Sequence, residues 1–441
     1  MSRQSPRSLM VTPPSPTRRA ALQGLGALAL ASGALGAPRM ARGAAGRVVI
    51  VGGGFGGATA AKYLMRADPE LDVVLIEPAE RFYTCPFSNL YLGGLREFES
   101  IGHGFDVLRE RWGVEVVHDL AEDVDTAART VRLGGGDEIG YDRLVLSPGI
   151  DIRWGALEGY DEAAAERAPH AWKAGPQTQL LKSQIEAMEE GGTFILVAPD
   201  NPFRCPPGPY ERVAMVAHYL SQHNPSAKIL LLDAKESFSK QGLFVDGWQA
   251  AYGDMIEWVG LADDGKVVRV DAEALEVETE FGTVHRASVL NVVPPQRAGA
   301  IAERAGVTNE SGWVPIQPST FESSQVPGVY VVGDATIAAP MPKSGFCANT
   351  QGKVVAAVIA AELAGREPPE PLWANTCYSL IAPEYGISVA GVYRVIDGKI
   401  AEVPESGGVS PREADAAFRS KEARFGAGWY AAISEDIWGT T

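Results

Sequence analysis

The chain has 441 residues, which corresponds to about three domain-sized units. Its 46% hydrophobic and 21% charged residues are a globular composition and exclude disordered and fibrous classes. With 39 basic against 55 acidic residues and a net charge of −16, it lacks the basic charge that neutralises phosphates, so nucleic acid is excluded as a partner, whereas a basic protein surface is suited to it.

Residues 1–46 carry six arginines (Arg3, Arg7, Arg18, Arg19, Arg39, Arg42) and no acid. Thr17-Arg18-Arg19 precedes an uncharged run from Ala20 to Pro38 that is too short and too rich in glycine for a membrane span. Basic residues, a weak apolar stretch and then small residues predict a twin-arginine export signal over 1–45, cut near Ala37 or Ala44-Ala45. The expectation is a periplasmic protein exported folded, with a cofactor bound and no stable membrane insertion. Removing all six arginines takes the net charge from −16 to −22.

Arg47 to Val51 reads as a strand, followed by Gly52-Gly53-Gly54-Phe55-Gly56-Gly57, a helix over Ala58 to Met65 and a strand over Val73 to Ile76 ending at Glu77. Gly52, Gly54 and Gly57 occupy the G-x-G-x-x-G positions of a dinucleotide-binding βαβ unit. They serve the tight turn, the approach to a pyrophosphate and the close packing of helix on strand. The helix N-terminus offers free N–H groups to phosphate, and Glu77 is placed for ribose hydroxyls.

Two later segments, Tyr141 to Gly149 and Val329-Tyr330-Val331-Val332-Gly333-Asp334-Ala335, are strands running into small-residue turns. They resemble the second and third dinucleotide motifs of two-domain flavin disulfide reductases, which implies FAD rather than NAD. It also implies that Asp334, after Gly333, bonds a ribityl hydroxyl. A helix over about Gly352 to Leu363 would aim its positive end at the flavin, with Lys343 adding charge just before it.

Between them, roughly 156–285, strands at Gly192 to Val197 and Lys228 to Leu232 predict a second nucleotide-type fold. Its first turn is Ala198-Pro199-Asp200-Asn201-Pro202-Phe203-Arg204-Cys205-Pro206-Pro207-Gly208-Pro209-Tyr210-Glu211. Five prolines cannot donate a run of N–H groups, so NAD(P)H binding is expected to be lost here. From Pro368 the composition shifts into a segment containing Cys377 and ending with Trp429, Tyr430 and Trp438.

The fold class expected is α/β: two Rossmann-like three-layer domains, an FAD domain (46–155 with 286–367) and a degenerate NAD-type domain (156–285), plus a C-terminal flavin-shielding or interface domain (368–441). Four cysteines (Cys85, Cys205, Cys347, Cys377) are too few for a disulfide scaffold and too dispersed for a zinc knuckle, so no metal is expected. They allow three pairings. The absence of Cys-x-x-Cys-His means that this chain does not itself attach a c-type haem.

Cys205-Pro206-Pro207-Gly208-Pro209-Tyr210-Glu211, with Tyr83-Thr84-Cys85-Pro86, Asn375-Thr376-Cys377-Tyr378-Ser379 and Met341-Pro342-Lys343-Ser344-Gly345, resembles the flavoprotein subunit of flavocytochrome c sulfide dehydrogenase. The likeness runs from Gly46 to the C-terminus. It implies a redox-active Cys205–Cys377 disulfide at the flavin, FAD attached covalently through Cys85, Glu211 as acid/base and Trp429 as a flavin shield. It implies sulfide as substrate and a c-type cytochrome as partner, with the haem on that other chain. Cys347 has no counterpart in the resemblance and reads as a small buried thiol. Two other functions are compatible with the residues: a sulfide:quinone oxidoreductase and a non-catalytic flavin-bearing assembly subunit. The chain from Pro411 to Thr441 has a net charge of −1, which disfavours docking on an anionic membrane.

Overall fold

In a computed structural model the described residues are 46–441, so the predicted export signal lies outside them. The first βαβ unit forms where the sequence places it: β1 (Arg47–Val51), α1 (Phe55–Ala67) and β2 (Asp72–Ile76), followed by β3 (Glu115–Val117) and β4 (Arg143–Leu146). The middle of the chain supplies β5 (Thr193–Ala198), α2 (Gly208–His223), β6 (Lys228–Asp233), α3 (Gln241–Tyr252), β7 (Ile256–Val259) and β8 (Val289–Val292). The chain then returns to the first unit with β9 (Val329–Val331) and α4 (Gly345–Leu363). It ends in β10 (Trp373–Ala382), β11 (Tyr385–Ile396), β12 (Lys399–Glu402) and α5 (Ala416–Trp438).

The first sheet has the order β9-β4-β1-β2-β3, all parallel, and the second the order β7-β6-β5-β8, also all parallel. Parallel strands are covered on both faces, which is why β1 reads Val-Val-Ile-Val and β6 Ile-Leu-Leu-Leu without alternation. Each sheet has its own core, one around Ile50, Leu75, Val145 and Val331, the other around Leu196, Val213 and Leu231. The third unit is an antiparallel sheet, β10-β11-β12, backed by α5.

Two boundaries differ from expectation. The middle domain extends beyond 285, because β8 pairs in parallel with β5 from Phe194↔Val289 to Val197↔Val292. The helix expected from Gly352 begins at Gly345: Ser344 Oγ accepts from the Cys347 N–H (3.1 Å) and caps the first turn, a bond worth about 1 kcal/mol.

α5 is pinned at its end. The Lys62 ammonium, fully buried on α1, donates to the carbonyls of Asp436 (2.7 Å) and Gly439 (3.1 Å), a cation placed at the negative pole of a helix. Trp438 stacks on Phe82 (5.6 Å) and His103 (4.4 Å). The C-terminal helix is thereby fixed over the glycine loop, and Trp429 with it.

Candidate active site

The dinucleotide frame is assembled from close backbone approaches. Gly52 has φ +100°, and a Cβ there would collide with the Ser147 carbonyl; a Cβ on Gly57 would collide with the carbonyl of Gly52. A Cβ on Gly54 would stand 3.1 Å from the Phe82 ring. Gly54 gives α1 no side-chain cap, which leaves first-turn N–H groups free for an anion. Glu77 accepts from the N–H groups of Gly53 (2.8 Å) and Ala79 (3.0 Å), so this acid also braces the loop.

Gly333 (φ +80°) donates its N–H to Gln351 Oε1 (2.7 Å) on α4 and turns the chain into Asp334. Asp334 Oδ1 is buried with no hydrogen-bond partner, and burial pushes this carboxyl above its ordinary range. A buried acceptor without a donor, beside a glycine loop suited to a diphosphate, fits the ribityl chain and pyrophosphate of FAD. Lys343 stands in the loop directly before α4. Its ammonium donates to the carbonyls of Asp334 (2.8 Å) and Thr336 (2.7 Å) over the Trp313 ring, and burial lowers its pKa to about 8. Its charge therefore acts on the Asp334 turn.

Three chain segments converge on the cysteines. Cys205 adopts φ +59°, a left-handed conformation uncommon outside glycine. The strain is held by its N–H donating to the Lys343 carbonyl (2.9 Å), which ties the middle-domain turn to the FAD domain. Its Sγ lies over Gly208 at the start of α2. Cys377 belongs to the inward face of β10, where Trp373, Asn375, Ser379 and Ile381 are buried at alternate positions. Cys85 donates its thiol to the Trp172 carbonyl (3.0 Å). Cys85, Cys205, Cys377 and Glu211 all keep partial exposure although Cys205, Cys377 and Glu211 are enclosed deep in the protein, as expected of side chains lining an internal recess.

All four cysteines are free thiols in this structure. Cys205 and Cys377 are electrostatic neighbours: burial pushes the Cys205 thiol well up, and the charge of Cys377 is the next contribution. Cys347, beneath them in the first turn of α4, is 1% exposed and pushed up to about 12 by burial, which leaves it an inert thiol at neutral pH.

Glu211 is not a surface residue of the first helical turn. One oxygen accepts from the Leu380 N–H on β10 (2.9 Å), the other from Asn89 Nδ2 (2.8 Å). Burial raises its pKa; these bonds, with Lys240 and Arg212, partly oppose the shift. Trp429 packs between Phe87 (6.4 Å) and Phe346 (6.4 Å), joining the Cys85 segment to the first turn of α4.

Sequence reasoning missed four residues. Arg212 is buried and donates to Asn89 Oδ1 (3.0 Å), the His170 carbonyl (3.0 Å), the Ala171 carbonyl (2.7 Å) and Asn291 Oδ1 (3.1 Å), with its guanidinium over the Trp172 ring (4.8 Å). Trp172 touches both the Cys85 and Cys205 segments, Asn89 links Arg212 to Glu211, and Lys240 reaches Ser379. A charged residue directly after Glu211 and directly before the apolar run Val213 to Ala217 was the available signal for Arg212. Two cavities of about 580 and 480 Å³, lined by Arg167 and Arg286 and by Trp154 and Arg297, contain none of these residues.

Comparison with known proteins accords with this geometry. Residues 178–294 match the central domain of the sulfide dehydrogenase [flavocytochrome c] flavoprotein chain, 369–438 match the flavin-binding domain of flavocytochrome c sulphide dehydrogenase, and 46–183 match the pyridine nucleotide-disulphide oxidoreductases. The sulfide dehydrogenase [flavocytochrome c] flavoprotein chain of Chlorobaculum thiosulfatiphilum is 65% identical over 43 residues, 10% of this chain and 90% of that one. The chain belongs to the flavocytochrome c sulfide dehydrogenase flavoprotein family. It is thus a flavoprotein oxidoreductase of a sulfide-oxidising family with a two-domain Rossmann-like fold and a C-terminal flavin-binding domain.

Members of a second group are similar to this flavocytochrome-type chain. The mitochondrial sulfide:quinone oxidoreductase of Mus musculus is 24% identical over 296 residues, 66% of this chain and 65% of that one, just under two thirds of the relative's length. The crystal structure of the sulfide:quinone oxidoreductase of Aquifex aeolicus shares the fold at TM-score 0.69 and 19% identity, over 90% of this chain and 93% of that one. Among the described residues no helix is long and apolar enough to cross a membrane.

Proposed function

We propose that the protein is a periplasmic sulfide dehydrogenase flavoprotein. In this reading HS⁻ opens a Cys205–Cys377 disulfide, Cys85 would hold FAD covalently, and a c-type cytochrome would be the partner. The observation that carries the reading is the convergence of Cys205, Cys377 and the deeply enclosed Glu211, which accepts from Leu380 on the Cys377 strand, with the Cys205 N–H bonded to the Lys343 carbonyl of the FAD domain.

The residues divide the work. Gly52, Gly54, Gly57 and the α1 N-terminus would hold the diphosphate, Glu77 a ribose, Asp334 the ribityl chain, and Cys85 the covalent link, with Trp429 covering the site. Two-electron acceptance is the chemistry that FAD supplies when bound. HS⁻ is a strong nucleophile, and a disulfide whose sulfurs belong to partly exposed residues is open to it. A new S–S bond forms to one cysteine as the old one breaks, leaving a persulfide on that cysteine and a thiolate on the other. One negative charge enters and one remains. Glu211, raised by burial, is placed to take or return the proton of the persulfide.

The test is anaerobic sulfide titration followed by flavin absorbance, with cytochrome c and a quinone compared as acceptors. The reading requires bleaching in the wild type and none in Cys205→Ser or Cys377→Ser. One observation favours quinone as the acceptor: Phe418 and Phe425, seven residues apart on α5, are 38% and 58% exposed. Faster reoxidation by quinone than by cytochrome c would select that alternative.

A further inference from the structure

Lys240 is a buried cation at the site with no part in the scheme above. It is 8% exposed, occupies a left-handed position (φ 62°) immediately before α3, and donates from Nζ to Ser379 Oγ (2.8 Å). Among the described residues no carboxylate lies within salt-bridge distance of it. Besides that hydroxyl it has only the Phe244 ring, 5.6 Å from the ammonium, and an enclosed ammonium with neutral partners alone is costly unless a negative charge is present for it to meet.

The position of Ser379 indicates which charge that is. Ser379 is two residues from Cys377 on β10, and alternate residues of a strand face the same side. The ammonium is therefore held alongside the Cys377 thiol. Among the charges acting on Lys240, that of Cys377 ranks ahead of Glu211, Cys205 and Glu422. In return, among the described residues, burial raises the Cys377 thiol, Lys240 opposes that rise, and Glu211 adds to it. Cys347, on α4, is a further neighbour of Cys377.

We propose that Lys240 is the counter-ion of the Cys377 thiolate, so that HS⁻ attacks Cys205 and Cys377 is the leaving sulfur. This rests on the disulfide reading above. In the step, the sulfide sulfur bonds to Cys205 Sγ while the Cys205–Cys377 bond breaks. The electron pair of that bond goes to Cys377 as thiolate, and the proton stays on the Cys205 persulfide. The sulfide sulfur is oxidised and the disulfide reduced. A leaving thiolate departs faster where its anion is stabilised, which directs attack to the other sulfur. Cys205 has positive neighbours of its own. Its Sγ lies by the N-terminus of α2, which carries about half a charge. Arg204 also acts on it, but behind burial and the charges of Cys377, Glu211 and Cys85, and Arg212 is a further neighbour. On Cys377, by contrast, the charge of Lys240 comes directly after burial.

The test uses the full flavoprotein in wild-type form and as Lys240→Met, Lys240→Gln and Lys240→Arg. With the disulfide reduced by a phosphine, the pH dependence of iodoacetamide labelling at Cys377 is followed by peptide mass spectrometry. The midpoint is expected to rise by about one pH unit in Lys240→Met and Lys240→Gln and to stay near wild type in Lys240→Arg, all with flavin absorbance retained. Sulfide bleaching should slow about tenfold in the neutral variants, and the persulfide trapped after a single turnover should be on Cys205. An unchanged Cys377 midpoint in both neutral variants, or a persulfide trapped on Cys377, would overturn the proposal. If sulfide fails to bleach even the wild type, the disulfide reading itself fails, while the labelling midpoint still reports on the charge of Lys240.

Discussion

The sulfur of Cys205 lies over the backbone of Gly208, so closely that a Cβ on Gly208 would be 3.1 Å from Sγ and 2.7 Å from the Trp172 ring. The glycine has an ordinary helical place at the start of α2; the sulfur above it, rather than its backbone angles, requires the missing side chain. Gly208→Ala is expected to push Cys205 and Trp172 apart. Overpacking of this kind costs about 1–3 kcal/mol, and the displaced sulfur should slow bleaching by sulfide well beyond the loss of stability. Thermal unfolding and stopped-flow absorbance on the same sample check both. A variant with wild-type bleaching would show that the sulfur position is not critical.

How much of this was legible follows from how local each signal is. Gly52, Gly54, Gly57 and Glu77 lie within one βαβ unit, so their spacing alone specifies the phosphate turn. Gly333-Asp334 is a strand-to-turn signal of the same kind. The proline-rich turn at Cys205 was readable because it stands where a phosphate loop belongs. Asn89, Trp172, Arg212 and Lys240 were not readable, because each acquires its role from distant chain: Arg212 meets Asn89 across 123 residues and Lys240 meets Ser379 across 139. The early start of α4 was hidden because Lys343-Ser344-Gly345 reads as loop until the Ser344 cap is seen. β8 fell outside the expected middle domain because a buried parallel strand of four residues has no periodicity to mark it.

Asp334 and Cys85 act on the same cofactor in separable ways. If Cys85 is the tether, acid precipitation should leave yellow FAD in the pellet of the wild type and free FAD in the supernatant of Cys85→Ala. In the Cys85→Ala background, Asp334→Ala removes the buried acceptor whose Oδ1 has no protein partner. A hydrogen bond to a charged group is worth about 1.5–3 kcal/mol, so FAD affinity should fall roughly 10- to 150-fold, as measured by fluorescence on dilution. Yellow supernatant from the wild type would remove Cys85 as the tether.

Glu211 gives a pH dependence with a definite sign. Burial is the leading cause of its raised pKa, so the folded protein holds this proton more tightly than the unfolded chain does. The stability it contributes is full below the ordinary glutamate value of 4.5 and is lost as pH rises through the folded value. Glu211→Gln should flatten that part of the stability profile. It should also slow flavin reduction by sulfide about 100-fold, the lower end of what general acid–base groups contribute, and abolish the ionisation limb expected in the wild-type rate profile. A variant that keeps both the limb and the rate would leave Glu211 with only its hold on Leu380 and Asn89.

The middle domain retains an acid at the end of its second strand, where a nicotinamide-binding fold would offer one to ribose. That acid is Asp233, and it is already engaged. It is fully buried, and it accepts from Tyr210 Oη (2.7 Å), Trp258 Nε1 (3.0 Å) and Lys235 Nζ (2.5 Å). Lys235 also donates to the Pro199 carbonyl (2.6 Å), so the same network closes the proline turn over the strand end. A ribose would have to displace three buried bonds to reach Asp233, and the turn supplies no compensating phosphate contacts. NADH and NADPH are therefore expected to leave the flavin oxidised under conditions in which sulfide bleaches it. Rapid anaerobic bleaching by NADH would show that the Asp233 network opens, and would return the chain to the pyridine-nucleotide reductases whose fold it shares.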